Sequence, residues 1–316
     1  MPRELSPAVE IDRLTRRYGD FVAADAVTLS VGRGEVFGFL GPNGAGKTTT
    51  IKMLCGLVRP SSGRGQVDGL DIARDGDRIK ARIGYMSQLF SLYTELTVME
   101  NIAFAAGMRE ITGARLAERA AWVLEMAELT AQRDRFTGAL PLGWKQRLAL
   151  GCAVLHEPAV LFLDEPTSGV DPVARRQFWD VIRMLADRGT TVFVSTHYME
   201  EAEYCDRLAF MNRGKLVALG TPQALRAEMT DPILRVDTDD APRAVPVLAG
   251  VAGVQDVSLF GRGVRVVLTG AGRAETVLRE RLAAAGLGCR AVERIEPSLE
   301  DVFVASVTRA GGAPVG

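Results

Sequence analysis

Apolar and polar residues alternate over positions 11–31 around a turn at Gly19-Asp20, which predicts two antiparallel strands. Positions 36–40 are nearly all apolar, as in a short buried strand; glycines follow at once, and helical spacing takes over at 47–57. Helical spacing returns at 96–106, 114–129 and 144–155, so this middle stretch reads as a mostly helical insert. Beyond Pro158, positions 160–163 and 191–195 read as buried parallel-type strands separated by a helix over 172–188. The pattern is that of an α/β core carrying a helical subdomain.

Turn residues and charge interrupt the pattern at Thr230-Asp231-Pro232, and the chain then changes style. Segments 233–237, 243–249, 254–260, 263–268, 274–285 and 289–296 read as strand, helix, strand, strand, helix, strand. That is the ferredoxin-like βαββαβ order, so an α/β domain over 8–230 and a small α+β domain over 231–308 are expected. Positions 309–316 are mostly Gly, Ala and Pro and are expected to form a frayed tail.

Composition narrows the function. The 316 residues carry 38 Lys and Arg against 39 Asp and Glu, a net charge of −1, which disfavours nucleic acid as a partner. No apolar run approaches the ~20 residues that cross a bilayer, so a membrane role needs a partner. Positions 1–10 lack the apolar stretch of a secretory signal, and Cys55, Cys152, Cys205 and Cys289 form no CxxC pair; both point to a reducing cytoplasm. His156, in a connection before Pro158, is expected at the surface.

Gly41-Pro42-Asn43-Gly44-Ala45-Gly46-Lys47-Thr48-Thr49 fits the phosphate loop GxxxxGK[ST] and stands where that loop must stand, between strand and helix. Backbone N–H groups and the helix N-terminus can cradle phosphate oxygens, Lys47 can reach the β and γ phosphates, and the Thr48 hydroxyl can ligate Mg²⁺. The strand at 160–163 ends in Asp164-Glu165. Adjacent carboxylates on a strand point opposite ways, so Asp164 can face Mg²⁺ while Glu165 holds and deprotonates an attacking water.

With these residues in order, positions 8–230 resemble the ATP-binding cassette (ABC) family, specifically the nucleotide-binding subunits of bacterial exporters. The resemblance rests on the phosphate loop, Ser87-Gln88, a degenerate signature at Leu140 to Trp144 followed by Lys145-Gln146-Arg147, Leu163-Asp164-Glu165-Pro166-Thr167, Ser168-Gly169-Val170-Asp171 and Ser195-Thr196-His197. It implies a P-loop NTPase of the ABC type, with a RecA-like core, an antiparallel β subdomain and a helical subdomain. It also implies that Tyr18 stacks on adenine, Gln88 links Mg²⁺ and water to a membrane partner, His197 contacts the γ-phosphate, and Asp171 lies at a cassette dimer interface. For Tyr18 an alternative is packing on Val22 of the hairpin.

The signature departs from the family's Leu-Ser-Gly-Gly-Gln: this chain has Leu140-Pro141-Leu142-Gly143-Trp144. In the family the serine hydroxyl and glycine backbone reach the γ-phosphate held by the opposite subunit, and here only Gly143 keeps its place. Pro141 has neither hydroxyl nor N–H to donate, and Leu142 adds bulk where backbone should approach. The resemblance therefore implies a heterodimer with a second cassette that carries an intact signature.

Residues 93–101, after Gln88, resemble the segment by which transporter cassettes grip a membrane subunit; alternatively Leu96, Val98 and Ile102 are simply core. Residues 297–303 resemble the tail of the drug-export branch, whose small C-terminal domain reads as a dimer-stabilising appendage ahead of a ligand sensor. The expectation is an ATPase subunit on the inner face of the cell membrane, powering export through separate permease chains. The alternative is a soluble cassette ATPase acting on ribosomes or DNA.

Overall fold

The computed structural model describes residues 6–88, 92–270 and 274–311. The chain divides into two compact units, one running to Pro222 and taking in Ser306 onward, the other Gln223–Ala305. This division falls ahead of the expected joint at Thr230/Asp231.

In the first unit β1 (Val9–Tyr18) and β2 (Phe21–Val31) form the expected hairpin, with Tyr18 paired to Phe21 across the turn. Then come β3 (Val36–Leu40), α1 (Lys47–Leu54), β4 (Ser62–Val67), β5 (Leu70–Asp71), α2 (Gly76–Arg82) and β6 (Ile83–Met86). The helical insert consists of α3 (Val98–Gly107), α4 (Gly113–Met126) and α5 (Leu142–Val154). A capping box starts α3: the Thr97 hydroxyl accepts from the Glu100 N–H, and the Glu100 carboxylate accepts from the Thr97 N–H. The core is completed by β7 (Val160–Asp164), α6 (Pro172–Asp187), β8 (Thr191–Thr196), β9 (Arg207–Asn212) and β10 (Lys215–Gly220), before α7 (Pro222–Ala227).

Two sheets result. An antiparallel sheet has the order β2-β1-β4-β5, and a central sheet the order β10-β9-β3-β8-β7-β6. In the central sheet β9, β3, β8, β7 and β6 are parallel, and β3, β7 and β8 are buried at every position, as their apolar centres favour. Phe37, Phe39, Phe162 and Phe193 pack on one face with Ile51 of α1; Phe178, Trp179 and Ile182 of α6 cover the other, with Leu161 and Val194. The C-terminal ends of β3, β7 and β8 therefore open at one edge of a rigid sheet, where open α/β folds bind their ligands.

The second unit follows the predicted order: β11 (Ile233–Thr238), α8 (Ala241–Ala249), β12 (Val254–Phe260), β13 (Gly263–Leu268), α9 (Ala274–Ala284) and β14 (Cys289–Ile295). Its antiparallel sheet runs β12-β13-β11-β14, the ferredoxin-like arrangement in which the first and third strands are central. A further helix, α10 (Leu299–Arg309), follows. Reciprocal bonds between Ser298 and Asp301 start it, and Asp301 is paired with Arg265 of β13. Of the expected tail, Arg309 closes this helix, and 312–316 lie outside the described residues.

His156 is not at the surface. Its ring is half-buried with Nε2 donating to the Ile83 carbonyl at 3.1 Å, and burial together with nearby Arg109 pushes its pKa down to about 4.

Candidate functional site

The loop between β3 and α1 is shaped by contacts that admit no side chain. A Cβ on Gly46 (φ 105°) would lie 2.1 Å from the Ala23 carbonyl oxygen, and one on Gly41 would lie 2.2 Å from that of Met211. Gly46 is the N-cap of α1 and offers no side-chain cap, so the first N–H groups of the helix are left for an anionic ligand. Asn43, Gly44, Ala45, Gly46, Lys47, Thr48 and Thr49 line a cavity of about 260 Å³ together with Phe21, Ala23, Gln88 and Glu165.

Lys47 is buried. Its Nζ donates to the carbonyls of Gly41 at 2.7 Å and Pro42 at 3.1 Å, and lies 3.1 Å from Glu165 Oε1. The other carboxylate oxygen of Glu165 accepts from Gln88 Nε2 at 3.2 Å and faces His197 Nδ1 at 3.2 Å. Three of the expected residues thus meet on Glu165, which is itself buried. Its backbone is held at φ 50°, a left-handed conformation that is costly for a non-glycine residue, by an N–H that reaches both the hydroxyl and the carbonyl oxygen of Ser195 at 3.1 Å.

Asp164 faces the other way, as the strand geometry requires. Its Oδ1 accepts from Thr48 Oγ1 at 3.0 Å and from Ser195 Oγ at 2.7 Å. Burial raises its pKa above the ordinary carboxylate value, against the pull of those two hydroxyl bonds. Its Oδ2 is buried with no hydrogen-bond partner. An orphaned carboxylate oxygen beside a threonine hydroxyl is what a hard cation takes when phosphate oxygens supply further ligands. Among the described residues no group of three or more His, Cys, Asp or Glu side chains could hold a metal alone, so Thr48 and Asp164 fit Mg²⁺ as part of a nucleotide complex.

Two expected residues stand apart from this cluster. Tyr18 is not in the cavity lining; it is half-exposed at the end of β1, with the Arg16 guanidinium 4.5 Å from its ring centroid. Phe21, which pairs with it across the hairpin and is 63% exposed, lines the cavity instead. Gly143 lies in the first turn of α5, where a Cβ would meet Ala174 at 2.7 Å. Pro141 is the N-cap of that helix and provides no side-chain cap, Leu142 lies over Gly169, and Trp144 packs in the cluster of the helical insert. Asp171 caps α6, accepting from the N–H groups of Val173 and Ala174.

Ser195 is a residue of this cluster to which sequence reasoning gave no role. It appears in the run ending at His197, but its role comes from the parallel β7·β8 register that sets it beside Asp164. Fully buried, its one hydroxyl serves both carboxylate residues.

Residues 24–168 match the family described as ABC transporter, and residues 220–307 match the C-terminal domain described as ATP-binding protein DrrA1-3-like. A shorter match, 145–201, is to an AAA domain described as a putative AbiEii toxin, and it overlaps the β7-α6-β8 core. The probable multidrug ABC transporter ATP-binding protein YbhF of Escherichia coli is 50% identical over 70% of this chain, which spans 38% of that relative's length. The daunorubicin resistance ATP-binding protein DrrA2 of Streptomyces coeruleorubidus is 37% identical over 94% of both chains. Among solved structures, a dimeric ATP-binding cassette in a post-hydrolysis state with ADP and Pi is similar, with a TM-score of 0.62 and 26% identity over 67% of this chain and 98% of that one. A phosphate loop facing a carboxylate pair at the edge of a parallel sheet, joined to a DrrA-like C-terminal domain, makes this chain a member of the ATP-binding subunits of ABC transporters.

Proposed function

We propose that the chain binds and hydrolyses ATP to power export through a separate membrane permease, ATP closing a pair of cassettes and hydrolysis reopening it. The observation that carries this is Glu165, a buried carboxylate held at once by Lys47, Gln88 and His197 beside the phosphate loop. The α1 N-terminus and Lys47 bind the β and γ phosphates. Glu165 Oε2 takes a proton from water as the water oxygen attacks the γ-phosphorus and the bond from that phosphorus to the β–γ bridging oxygen breaks, so that ADP leaves with the bridging oxygen and phosphate is released, while Gln88 and His197 hold that carboxylate oxygen in place. Thr48 and Asp164 would hold Mg²⁺, which would supply positive charge against the phosphate oxygens.

A permease has a place to dock. Leu57, Tyr93, Phe104, Met108 and Arg109 line a cavity of about 310 Å³, and all but the arginine are exposed large apolar side chains. Tyr93 and Phe104 meet edge to face at 4.8 Å, and buried Asn101 pins the backbone of Tyr93 with bonds at 2.9 Å to its N–H and its carbonyl. Exposed apolar surface joined to polar anchoring marks an interaction site. Among the described residues no helix is long and apolar enough to cross a membrane, so the reading places the chain on the membrane's inner face through that partner. The names of the DrrA and YbhF relatives favour drug-type export over the ribosome or DNA reading. A heterodimer with a second cassette is favoured by Pro141 and Leu142 at the signature, and the C-terminal unit is proposed to stabilise pairing.

Two measurements test this. Phosphate release from ATP by the purified chain should require Mg²⁺, and an affinity-tagged chain should co-purify with a polytopic membrane protein. Release without Glu165 dependence would overturn the mechanism; association with ribosomes in place of membranes would overturn the transport role.

A further inference from the structure

A second cluster of charge lies behind the site. Glu201 is fully buried in the short helical turn Met199–Tyr204 after β8. Its Oε1 accepts from the Thr167 hydroxyl at 2.5 Å and lies 3.5 Å from Arg175 Nε, while its Oε2 has no hydrogen-bond partner. Arg175, in the second turn of α6, donates through Nη2 to the Val170 carbonyl at 3.2 Å. Its guanidinium carbon lies over the Tyr198 ring, 3.9 Å from the centroid, and the centroids of the Tyr198 and His197 rings are 4.1 Å apart. His197 in turn faces Glu165 Oε2.

These contacts form one path, Glu201 to Arg175 to Tyr198 to His197, ending on the candidate base. An ion pair with its carboxylate buried and its arginine partly buried is a poor way to gain stability, because desolvation offsets the attraction. This arginine also divides itself between three different partners, with its charge toward Glu201, a donor toward Val170 and its guanidinium carbon over Tyr198. A guanidinium suits all three; a lysine keeps the charge and loses both the guanidinium donor and the group over the ring. We infer that Arg175 is a positioning residue for hydrolysis: oriented by Glu201, it presses Tyr198 against His197 and fixes the imidazole on Glu165. The same guanidinium also bonds the Val170 carbonyl, so it joins Tyr198, on which His197 packs, to the 167–171 turn. The inference rests on the proposed roles of His197 and Glu165.

The test is a double-mutant cycle on the full chain, with ATP turnover, ATP affinity and melting temperature measured for each variant. Arg175→Ala is expected to lower kcat by about 10- to 100-fold, the scale of an ångström-level misplacement, with ATP affinity unchanged. Arg175→Lys should lose nearly as much, Tyr198→Ala should match it, and Tyr198→Phe should recover turnover. In a His197→Ala background, Arg175→Ala should cost little more, because its target is gone. Losses that multiply in the double mutant, or wild-type turnover in Arg175→Lys, would overturn the inference while leaving the proposed function standing. Wild-type turnover in His197→Ala would overturn the reading of the site and this inference with it. Should Arg175→Ala fail to fold, Arg175→Lys and Tyr198→Ala decide by the same comparison.

Discussion

Lys47 Nζ lies 3.1 Å from Glu165 Oε1 with both side chains buried, so the cation of the phosphate loop and the candidate base form one ion pair. A γ-phosphate and the base compete for the same ammonium. Replacing Glu165 with Gln removes that competition, so ATP should bind at least as tightly as in the wild type. Hydrolysis should fall by about 10²- to 10⁴-fold, the usual worth of a positioned general base. Calorimetry with phosphate release checks both halves, and a mutant that turns over normally would mean that another residue is the base.

Lys47→Ala acts in the opposite sense on binding. It removes the charge-assisted contact to the phosphates and leaves Glu165 buried without its cation, so ATP affinity and melting temperature should both fall. Equal affinity by calorimetry would exclude the loop as the phosphate site.

Ser195 gives a third expectation. Its hydroxyl donates to Asp164 and accepts from the Glu165 N–H, so Ser195→Ala strips a bond from a buried carboxylate and loosens the backbone that holds the base at φ 50°. Chemical denaturation should show a loss of about 1 to 3 kcal/mol. Turnover should fall as well; a variant that loses stability yet keeps the wild-type rate would make Ser195 a packing residue only.

The parts of this site that were legible in the sequence are those fixed by neighbours in the chain. A glycine loop between an apolar strand and a helix specifies its own geometry, and Asp164-Glu165 at a strand end must diverge. The contacts of Ser195, Arg175 and Glu201 depend on register and helix placement across β7, β8 and α6, which spacing along one strand does not reveal. The strand β4 (SGRGQV) carries no apolar alternation, and pairing with β1 makes it a strand. The second unit is readable because its six predicted elements each have their own period, whereas the sequence reading assigns no helix to 299–309, where α10 forms behind the Ser298–Asp301 cap.

His156 shows how a polar residue in a connection can mislead. Its Nε2 donates to Ile83, its Nδ1 is buried with no hydrogen-bond partner, and its pKa is pushed down to about 4 from an ordinary 6.5. The unfolded chain therefore binds a proton that the folded chain refuses. Stability is fully present above pH 6.5 and should fall as the pH drops toward 4. His156→Gln keeps a donor for the Ile83 carbonyl and does not titrate, so its loss of stability over that window should be smaller. Acid-unfolding curves that fall equally for the two proteins would overturn this, since the folded ring would then take its proton at no cost.

The signature concerns pairing. Pro141 caps α5 without a donor and the Leu142 side chain lies over Gly169, so this helix start has neither the hydroxyl nor the open backbone that the family uses toward a partner's γ-phosphate. Donors aimed at transition-state charge are worth about 10² to 10³ in rate, so two copies of this chain paired together should hydrolyse ATP slowly. The double change Pro141→Ser with Leu142→Gly restores a cap hydroxyl and clears the approach, and should raise turnover of the isolated chain by up to about 10²-fold. Its own Lys47, Glu165 and His197 are untouched by the change, so a gain would locate the defect in the composite half of the site. A wild-type chain already as fast as the double mutant, with no second cassette in the native complex, would mean that Pro141 and Leu142 serve pairing as they stand.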